Sequence, residues 1–255
     1  MIASLMMYER VQLASSHRRF WSLIRQELNR GGIASPEALS QSADEFTVWL
    51  NPELVLSQTC GMPYRLWLHD KVKLVGTPDY RLADCKPGYY RSAIVVRQDD
   101  PRQELSAFKR STFAFNQPFS QSGYAAPYRH TQEHSFWFTR KYQSGGHLAS
   151  ALAVAQSRAD IASLDAVSWR LIQEHEAFSE KLRVLEWTAP TPGLPFITAL
   201  KNNEQLIFEA VTNALAKLPQ LDRGLLGIEG LVNIPADDYL AVATPELSEC
   251  HKPPY

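Results

Sequence analysis

Two segments of the chain place small hydroxyl side chains and a glycine between an apolar run and a predicted helix. The first is Ser57-Gln-Thr-Cys-Gly61, and the second lies within Asn116-Gln-Pro-Phe-Ser-Gln-Ser-Gly-Tyr124. A helix begins with N–H groups that lack intrahelical partners and with a partial positive charge, so such segments can bind an anion without a cationic side chain. Either segment can instead be a turn whose hydroxyl residue only caps the following helix.

Five further side chains could contact the same ligand. His147 begins a predicted helix, where it could donate a hydrogen bond to a ligand oxygen or cap the helix. Asp165 ends an apolar strand; it could accept a proton from a protonated oxyanion, hold an ammonium group, or cap the helix that follows. Tyr8, Tyr89 and Tyr90 could close a site with hydroxyls and ring walls, although tyrosines more often pack at surfaces.

Signals for catalysis or metal binding are weak. Cys60 lies at a predicted helix start, where a thiolate is favoured, so a nucleophilic cysteine must be considered. His130 and His134 are four residues apart, but they lack the glutamate of an HExxH motif and a defined third ligand. The sequence contains no GxSxG, Walker A or GxGxxG motif. We therefore predict no catalytic residue, no metal and no cofactor, and we expect the pairs Asp99-Asp100 and Asp237-Asp238 to be solvated.

Composition excludes several classes of protein. The 255 residues carry 26 Lys and Arg against 27 Asp and Glu, a net charge of −1 that argues against broad nucleic-acid binding. No apolar run approaches the roughly 18 residues of a membrane span. Cys60, Cys85 and Cys250 are too few and too widely spaced for a disulfide framework. Residues 1–10 have no basic n-region, so we expect the chain as written to be cytoplasmic rather than addressed for export.

The elements that would position these residues alternate between strands and helices. The patterns predict strands at 2–7, 54–57, 72–75, 93–96, 112–115, 136–138, 161–164 and 182–187. They predict helices from Ser15 or Ser16 to Gly31, and at 62–68, 147–155, 167–172 and 205–218, with another from Ser120 that contains Pro127. This rhythm favours parallel sheets with crossover helices. Two such α/β units, joined by an extended Pro-rich return near 186–195, predict two lobes with a ligand cleft between them.

Taken together and in order, these segments resemble the phosphonate/phosphate-type substrate-binding proteins of ABC transporters, a branch of the type II periplasmic binding fold. The resembling segments are Ser57-Gln-Thr-Cys-Gly61, Gly88-Tyr-Tyr-Arg-Ser92, Ser120-Gln-Ser-Gly123 with Pro127, Gly146-His147 with 149–155, 159–165 and 188–195.

The resemblance implies an α/β fold of two lobes, each a mixed, mainly parallel sheet flanked by helices, joined by two hinge strands. Lobe 1 would comprise residues 1–90 and 188–255, and lobe 2 residues 91–187. The lobes would close over a small anionic ligand. By position, the implied ligand-binding residues are Ser120, Gln121 and Ser122 with Tyr90, His147 and Asp165, and Tyr8, Ser57, Gln58 and Thr59 from lobe 1.

The hypothesis from sequence is a monomeric solute-binding protein for phosphate, a phosphonate or a similar oxyanion, serving ABC-type uptake with a permease partner, or ligand sensing. The family is periplasmic. The alternative is an enzyme or a cytosolic sensor on the same fold that uses Cys60 or His147.

Overall fold

The computed structural model of the chain describes residues 1–246, which form mixed sheets flanked by helices. The sequence predicts a frayed tail after Pro245; residues 247–255 of that tail, with Cys250 among them, lie outside the described residues. No helix within residues 1–246 combines the length and apolar character needed to cross a membrane.

The helices and strands follow one another along the whole described chain. The helices are α1 Ala14–Arg30, α2 Glu45–Trp49, α3 Gly61–Pro63, α4 Ala126–Gln132, α5 His147–Ala155, α6 Ala166–His175, α7 Glu204–Lys217, α8 Gln220–Leu226 and α9 Ala236–Leu240. Short 3₁₀ turns lie at Met6–Tyr8, Leu105–Phe108 and Ala177–Lys181, and π-helical turns at Tyr64–Leu68 and Gln121–Ala125. The strands are β1 Ile2–Ser4, β2 Leu54–Gln58, β3 Val72–Asp79, β4 Tyr89–Tyr90, β5 Ser92–Arg97, β6 Thr112–Phe115, β7 Arg140–Gln143, β8 Ile161–Asp165, β9 Leu182–Trp187, β10 Thr191–Pro192, β11 Phe196–Ala199 and β12 Gly230–Val232.

The chain divides into two compact units. Unit 1 comprises Met1–Tyr89 and Pro192–Ala241, and unit 2 comprises Tyr90–Thr191 with residues 242–246. The chain passes from one unit to the other at β4 and at β10, and these two short strands pair with each other.

Unit 1 is built on a five-stranded sheet in the order β1-β2-β11-β3-β12. β1 and β2 are parallel, whereas β11 runs antiparallel to both β2 and β3. Helix α1 buries an apolar stripe made by Phe20, Trp21, Ile24 and Leu28, the spacing that predicted it.

The ends of α1 differ in how well they were predicted. The capping role expected of Ser15 or Ser16 is wrong: Leu13 is the N-cap, and the Ser16 hydroxyl donates to Asp222 Oδ1 at 2.8 Å. A buried acceptor on another helix has replaced the local backbone donors as the serine's partner. The predicted end is confirmed, with Gly32 in the left-handed conformation at φ 74°.

Unit 2 is built on a second five-stranded sheet, in the order β7-β6-β8-β5-β9. β6 is parallel to β7 and β8, and β5 is antiparallel to β8 and β9. The predicted α/β class with mixed sheets is therefore confirmed. The proportion of parallel pairing is lower than expected, because β5 in this unit and β11 in unit 1 each lie between two strands of opposite direction.

An apolar run at residues 136–138 was predicted to be a strand and is not. Phe136 and Phe138 are buried in an aromatic cluster, in which the Phe138 ring stacks on Phe113 with centroids 4.7 Å apart. The neighbouring strand is instead β7, whose side chains are mostly polar and which lies at the edge of the sheet. An edge strand of this kind has no apolar alternation by which to recognise it.

Helix α5 occupies the predicted residues but buries a different face. Helical spacing in the sequence predicts one apolar face made by Leu148, Ala151, Leu152 and Ala155. Leu148 is instead 40% exposed, whereas Ser150, Ala151 and Val154 are buried. The serine is accommodated because its hydroxyl pairs with that of Ser144 at 2.7 Å.

The acidic pair Asp99-Asp100 was expected to be solvated, and for Asp100 this is wrong. Asp100 is 5% exposed and accepts hydrogen bonds from Arg102 Nε and Nη2, at 2.9 and 2.6 Å. The Arg102 guanidinium lowers the pKa of Asp100 to about 2. Asp237 and Asp238 are exposed, as predicted.

Candidate functional site

The turn at residues 120–123, between β6 and α4, is a buried helix start in unit 2. Ser120 is the N-cap of the π-helical turn Gln121–Ala125, and its Oγ accepts from the Gly123 N–H at 3.0 Å. The capping alternative is thus correct for Ser120, and the Gly123 N–H is already engaged. The helix continues directly into α4. Pro127 is the second residue of α4, next to the junction with the π-helical turn.

Gly123 allows the turn to approach the end of β6. A Cβ added at Gly123 would lie 1.9 Å from Asn116 Oδ1, so no larger residue fits without displacing that side chain. Sequence reasoning gave Gly123 a permissive role but did not predict Asn116 as its neighbour. The side chain that leaves no room for a larger residue at position 123 is that of Asn116, seven positions earlier at the other end of the loop.

Ser122, His147 and Asp165 come together in unit 2. His147 Nε2 lies 3.0 Å from Ser122 Oγ and 3.3 Å from Asp165 Oδ2. The three residues belong to the turn, to the first position of α5 and to the end of β8. Asp165 also caps α6, because its Oδ1 accepts from the Ser168 N–H at 2.8 Å. The capping alternative for Asp165 therefore accounts for one of its two oxygens, and the other faces the imidazole.

Burial determines the protonation of His147. Removal from water lowers the pKa of the His147 side chain, and the nearby Asp165 carboxylate and the Ser163 backbone oppose this shift without reversing it. A neutral imidazole carries one hydrogen, and a carboxylate can only accept, so that hydrogen belongs on Nε2. Ser122 Oγ then accepts from Nε2 and keeps its own hydrogen as a donor. Nδ1 is left as a buried acceptor that has no hydrogen-bond partner within residues 1–246.

A residue that sequence reasoning missed holds this arrangement together. The Ser163 hydroxyl, fully buried in β8, donates to the backbone oxygen of Ser122 at 2.7 Å. It ties the turn to the central strand of the unit 2 sheet. The signal in the sequence is a single serine within the otherwise apolar run 161–164, a pattern that predicts only a strand.

The turn at residues 57–61 lies at the end of β2 in unit 1, and most of its polar groups have structural partners. The Gln58 side-chain amide donates to the Leu194 carbonyl at 2.9 Å, and the Thr59 N–H donates to the Pro195 carbonyl at 3.0 Å. Ser57 Oγ is buried without a hydrogen-bond partner in the described chain. Neither Ser57 nor Thr59 caps the following helix, whose N-cap is Cys60.

The side chains of Cys60, Tyr8, Tyr89 and Tyr90 differ in their burial and in their contacts. Cys60 is buried in unit 1. Tyr8 packs edge-on against Tyr80, with centroids 5.5 Å apart, beside Gln58 within unit 1. Tyr90 is buried on β4, whereas the hydroxyl of the adjacent Tyr89 donates to Asp238 Oδ2 at 2.8 Å. Burial raises the pKa of Tyr89.

Each unit therefore groups some of the residues that the sequence selects. Unit 2 brings Ser122, His147 and Asp165 into contact and places Ser120 and Gln121 in the same turn. Unit 1 places the consecutive residues 57–59 at the end of β2, with Tyr8 beside Gln58.

Solved structures share this fold at low sequence identity. PhnD1 from Prochlorococcus marinus, in complex with methylphosphonate, has a TM-score of 0.69 at 13% identity, over 93% of each chain. XAC2383 from Xanthomonas citri, bound to ATP, has a TM-score of 0.68 at 15% identity, over 94% of each chain. A binding protein component of an ABC phosphonate transporter (PA3383) from Pseudomonas aeruginosa has a TM-score of 0.63 at 18% identity, over 94% of this chain and 82% of that one.

A sequence comparison with curated proteins gives no match. A family comparison does: residues 64–239 match the family described as ABC transporter, phosphonate, periplasmic substrate-binding protein. The match covers more than half of the chain and confirms the resemblance inferred from the motifs. The chain therefore belongs to the phosphonate-binding periplasmic substrate-binding proteins of ABC transporters, a family of binding proteins rather than enzymes, which implies a small ligand and a permease partner.

Proposed function

We propose that the chain binds a phosphonate or phosphate oxyanion for ABC-type uptake, and that its two lobes, residues 1–90 with 188–255 and residues 91–187, close around this ligand. The observation that carries the proposal is the pair of contacts that His147 Nε2 makes, one with Ser122 Oγ and one with Asp165 Oδ2. It leaves one hydroxyl donor and one buried imidazole acceptor beside the start of a helix.

The donors suit an oxyanion. Ser122 can donate its hydroxyl hydrogen, and the helix start adds backbone N–H groups with a partial positive charge. Hydrogen bonds to an ionised acceptor are roughly twice as strong as neutral ones, so uncharged donors suffice to replace the water around the ligand. In this proposal Ser120 and Gln121 complete the turn that contacts the ligand.

The His147 acceptor favours an oxyanion that carries a proton. A phosphoryl group has a second pKa of about 6, so a fraction of the groups keeps a P–OH hydrogen near neutral pH, whereas sulfate has no such hydrogen. Nδ1 of His147 would accept from that group. Asp165 would act as a positioning residue, because its oxygens already face Ser168 and His147.

Lobe closure would bring Tyr8, Ser57, Gln58, Thr59 and Tyr90 to the same ligand. The buried Ser57 hydroxyl has a hydrogen available for donation. The ligands named for two similar structures, methylphosphonate and ATP, both present tetrahedral phosphorus oxyanions, which supports the substrate class. Differential affinity for the closed state would drive closure.

Isothermal titration of the full chain tests the proposal. We expect one-to-one binding of methylphosphonate or inorganic phosphate, and weaker binding of methanesulfonate and sulfate. Small-angle X-ray scattering should show a smaller radius of gyration with methylphosphonate than without it. Absence of heat with all four anions would overturn the proposed function, and binding without compaction would overturn the closure.

A further inference from the structure

We propose that His130, His134 and Glu186 form a second binding site in unit 2, specific for a divalent transition-metal ion of the zinc type. These three side chains are outside the Ser122–His147–Asp165 arrangement, and the proposal does not depend on which anion the chain binds.

The geometry supplies the third ligand that the sequence spacing lacked. His130 lies on α4 and His134 just beyond its end, and their ring centroids are 6.1 Å apart. Glu186 lies on β9, 56 positions after His130, and its Oε2 is 2.7 Å from His130 Nε2. One possible ligand atom from each residue lies within 4.8 Å of the other two.

These separations are close to those of a zinc site. Zinc binds imidazole nitrogen and carboxylate oxygen at about 2.0–2.2 Å, so the ligands of a tetrahedral site lie about 3.3–3.5 Å apart. Small side-chain rotations bring the three atoms to that spacing. His130 and Glu186 would exchange their mutual hydrogen bond for bonds to the metal, and the exposed His134 can move to meet them.

The surroundings of Glu186 support a ligand role. The Leu105 N–H donates to Glu186 Oε1 at 3.4 Å, a long hydrogen bond that leaves Oε2 for the metal. Two imidazoles and one carboxylate form a zinc ligand set, and the fourth position, beside the exposed His134, would hold water. The same nitrogen ligands also suit nickel and copper, so selectivity among these metals depends on geometry.

Titration of the untagged full chain with zinc chloride tests the site. We expect one zinc ion per chain and an affinity that falls at least about tenfold in His134→Gln and in Glu186→Gln. His69→Gln, a change of an exposed histidine outside the cluster, is the matched control and should leave the affinity unchanged.

His134 is exposed, so His134→Gln should fold normally, which circular dichroism can verify. Zinc should raise the melting temperature of the wild-type chain but not that of His134→Gln. Absence of saturable zinc binding, or an affinity that His134→Gln leaves unchanged, would overturn the proposal. Both outcomes are independent of methylphosphonate binding, so failure of this site and failure of the proposed function can be told apart.

Discussion

The turn at residues 57–61 in unit 1 and the turn at residues 120–123 in unit 2 look alike in sequence but differ in what their polar groups contact. In unit 1, the Gln58 side chain and the Thr59 backbone are bonded to carbonyl groups of residues 194 and 195. In unit 2, Ser122 contacts His147, which in turn faces Asp165. The polar groups of the first turn are therefore mainly bonded to backbone carbonyl groups of unit 1. In the second turn, Ser122 contacts a titratable side chain, His147, which is itself next to a carboxylate.

The difference shows that hydroxyl residues before a helix do not define a binding site by themselves. What distinguishes the unit 2 turn is the chemistry brought to it by two other elements, α5 and β8. A neutral imidazole held by a carboxylate fixes which of its neighbours donates and which accepts. The unit 1 turn has only Ser57 Oγ without a hydrogen-bond partner in residues 1–246.

The largest expected effect comes from replacing the glycine of each turn. Gly123→Ala puts a Cβ 1.9 Å from Asn116 Oδ1, whereas the nearest atom to a Cβ on Gly61 is Tyr239 Cδ1 at 3.6 Å. We expect Gly123→Ala to lower the free energy of unfolding by about 1–3 kcal/mol and to abolish measurable methylphosphonate binding. Gly61→Ala should change the stability by less than about 1 kcal/mol. Urea unfolding measures the free energy of unfolding, and titration calorimetry measures methylphosphonate binding. Equal effects of the two variants would show that the two turns do not differ in packing as described.

Removal of one hydroxyl group from each turn should have different consequences in the two units. Ser122→Ala should weaken methylphosphonate binding about 10- to 100-fold, because a hydrogen bond to a charged group contributes about 1.5–3 kcal/mol. Ser57→Ala should leave the free energy of unfolding unchanged or higher, since it removes a buried hydroxyl without a hydrogen-bond partner in the described chain. Titration calorimetry measures the methylphosphonate affinity of Ser122→Ala, and urea unfolding measures the stability of Ser57→Ala. Wild-type affinity in Ser122→Ala would mean that this turn does not bind the ligand.

A smaller effect is expected from Asp165→Asn, which tests the direction of the hydrogen bonds. An asparagine can still cap α6, but its amide can donate to His147 Nε2, so the ring hydrogen can move to Nδ1. The preference for methylphosphonate over methanesulfonate should then fall about 2- to 10-fold, the contribution of one neutral hydrogen bond. The ratio of the two dissociation constants measures it. An unchanged ratio would mean that Nδ1 does not contact the ligand.

The smallest effect concerns the dependence of stability on pH. Burial lowers the pKa of His147 below its ordinary 6.5, so protonation favours the unfolded chain, and stability is lost as the pH falls below 6.5. His17 in unit 1 has a pKa lowered by burial in the same way. His147→Gln should therefore reduce the acid-induced loss of stability without removing it. Urea unfolding on either side of 6.5 tests this, and an identical slope in both proteins would contradict it.

Much of the fold can be predicted from local patterns, because a helix or strand with one apolar face has regularly spaced apolar residues in the sequence. The residues of α5 and the spacing of Phe20, Ile24 and Leu28 in α1 are examples. The strand β11 was not predicted, because four residues after a Pro-rich segment carry no periodic signal. The burial of Asp100 could not be predicted either, because it depends on the hydrogen bond that the Arg102 side chain donates to it from two positions later.

The candidate site was predictable as a set of residues but not as an arrangement. Each of Ser122, His147 and Asp165 could be selected because it lies at the start of a helix or the end of a strand. Their mutual contacts, and the bond from Ser163 to the Ser122 carbonyl, depend on strand order in the sheet, which no local pattern specifies. The resemblance to a family, which rests on the order of the segments, is what predicted that these three residues belong to one site.

A crystal structure of the full chain with methylphosphonate tests the central claim most directly. We expect phosphonate oxygens within hydrogen-bond distance of Ser122 Oγ and His147 Nδ1, with Asp165 still facing Nε2. Methylphosphonate bound elsewhere, with the Ser122 hydroxyl and His147 Nδ1 making no contact to it, would contradict the account.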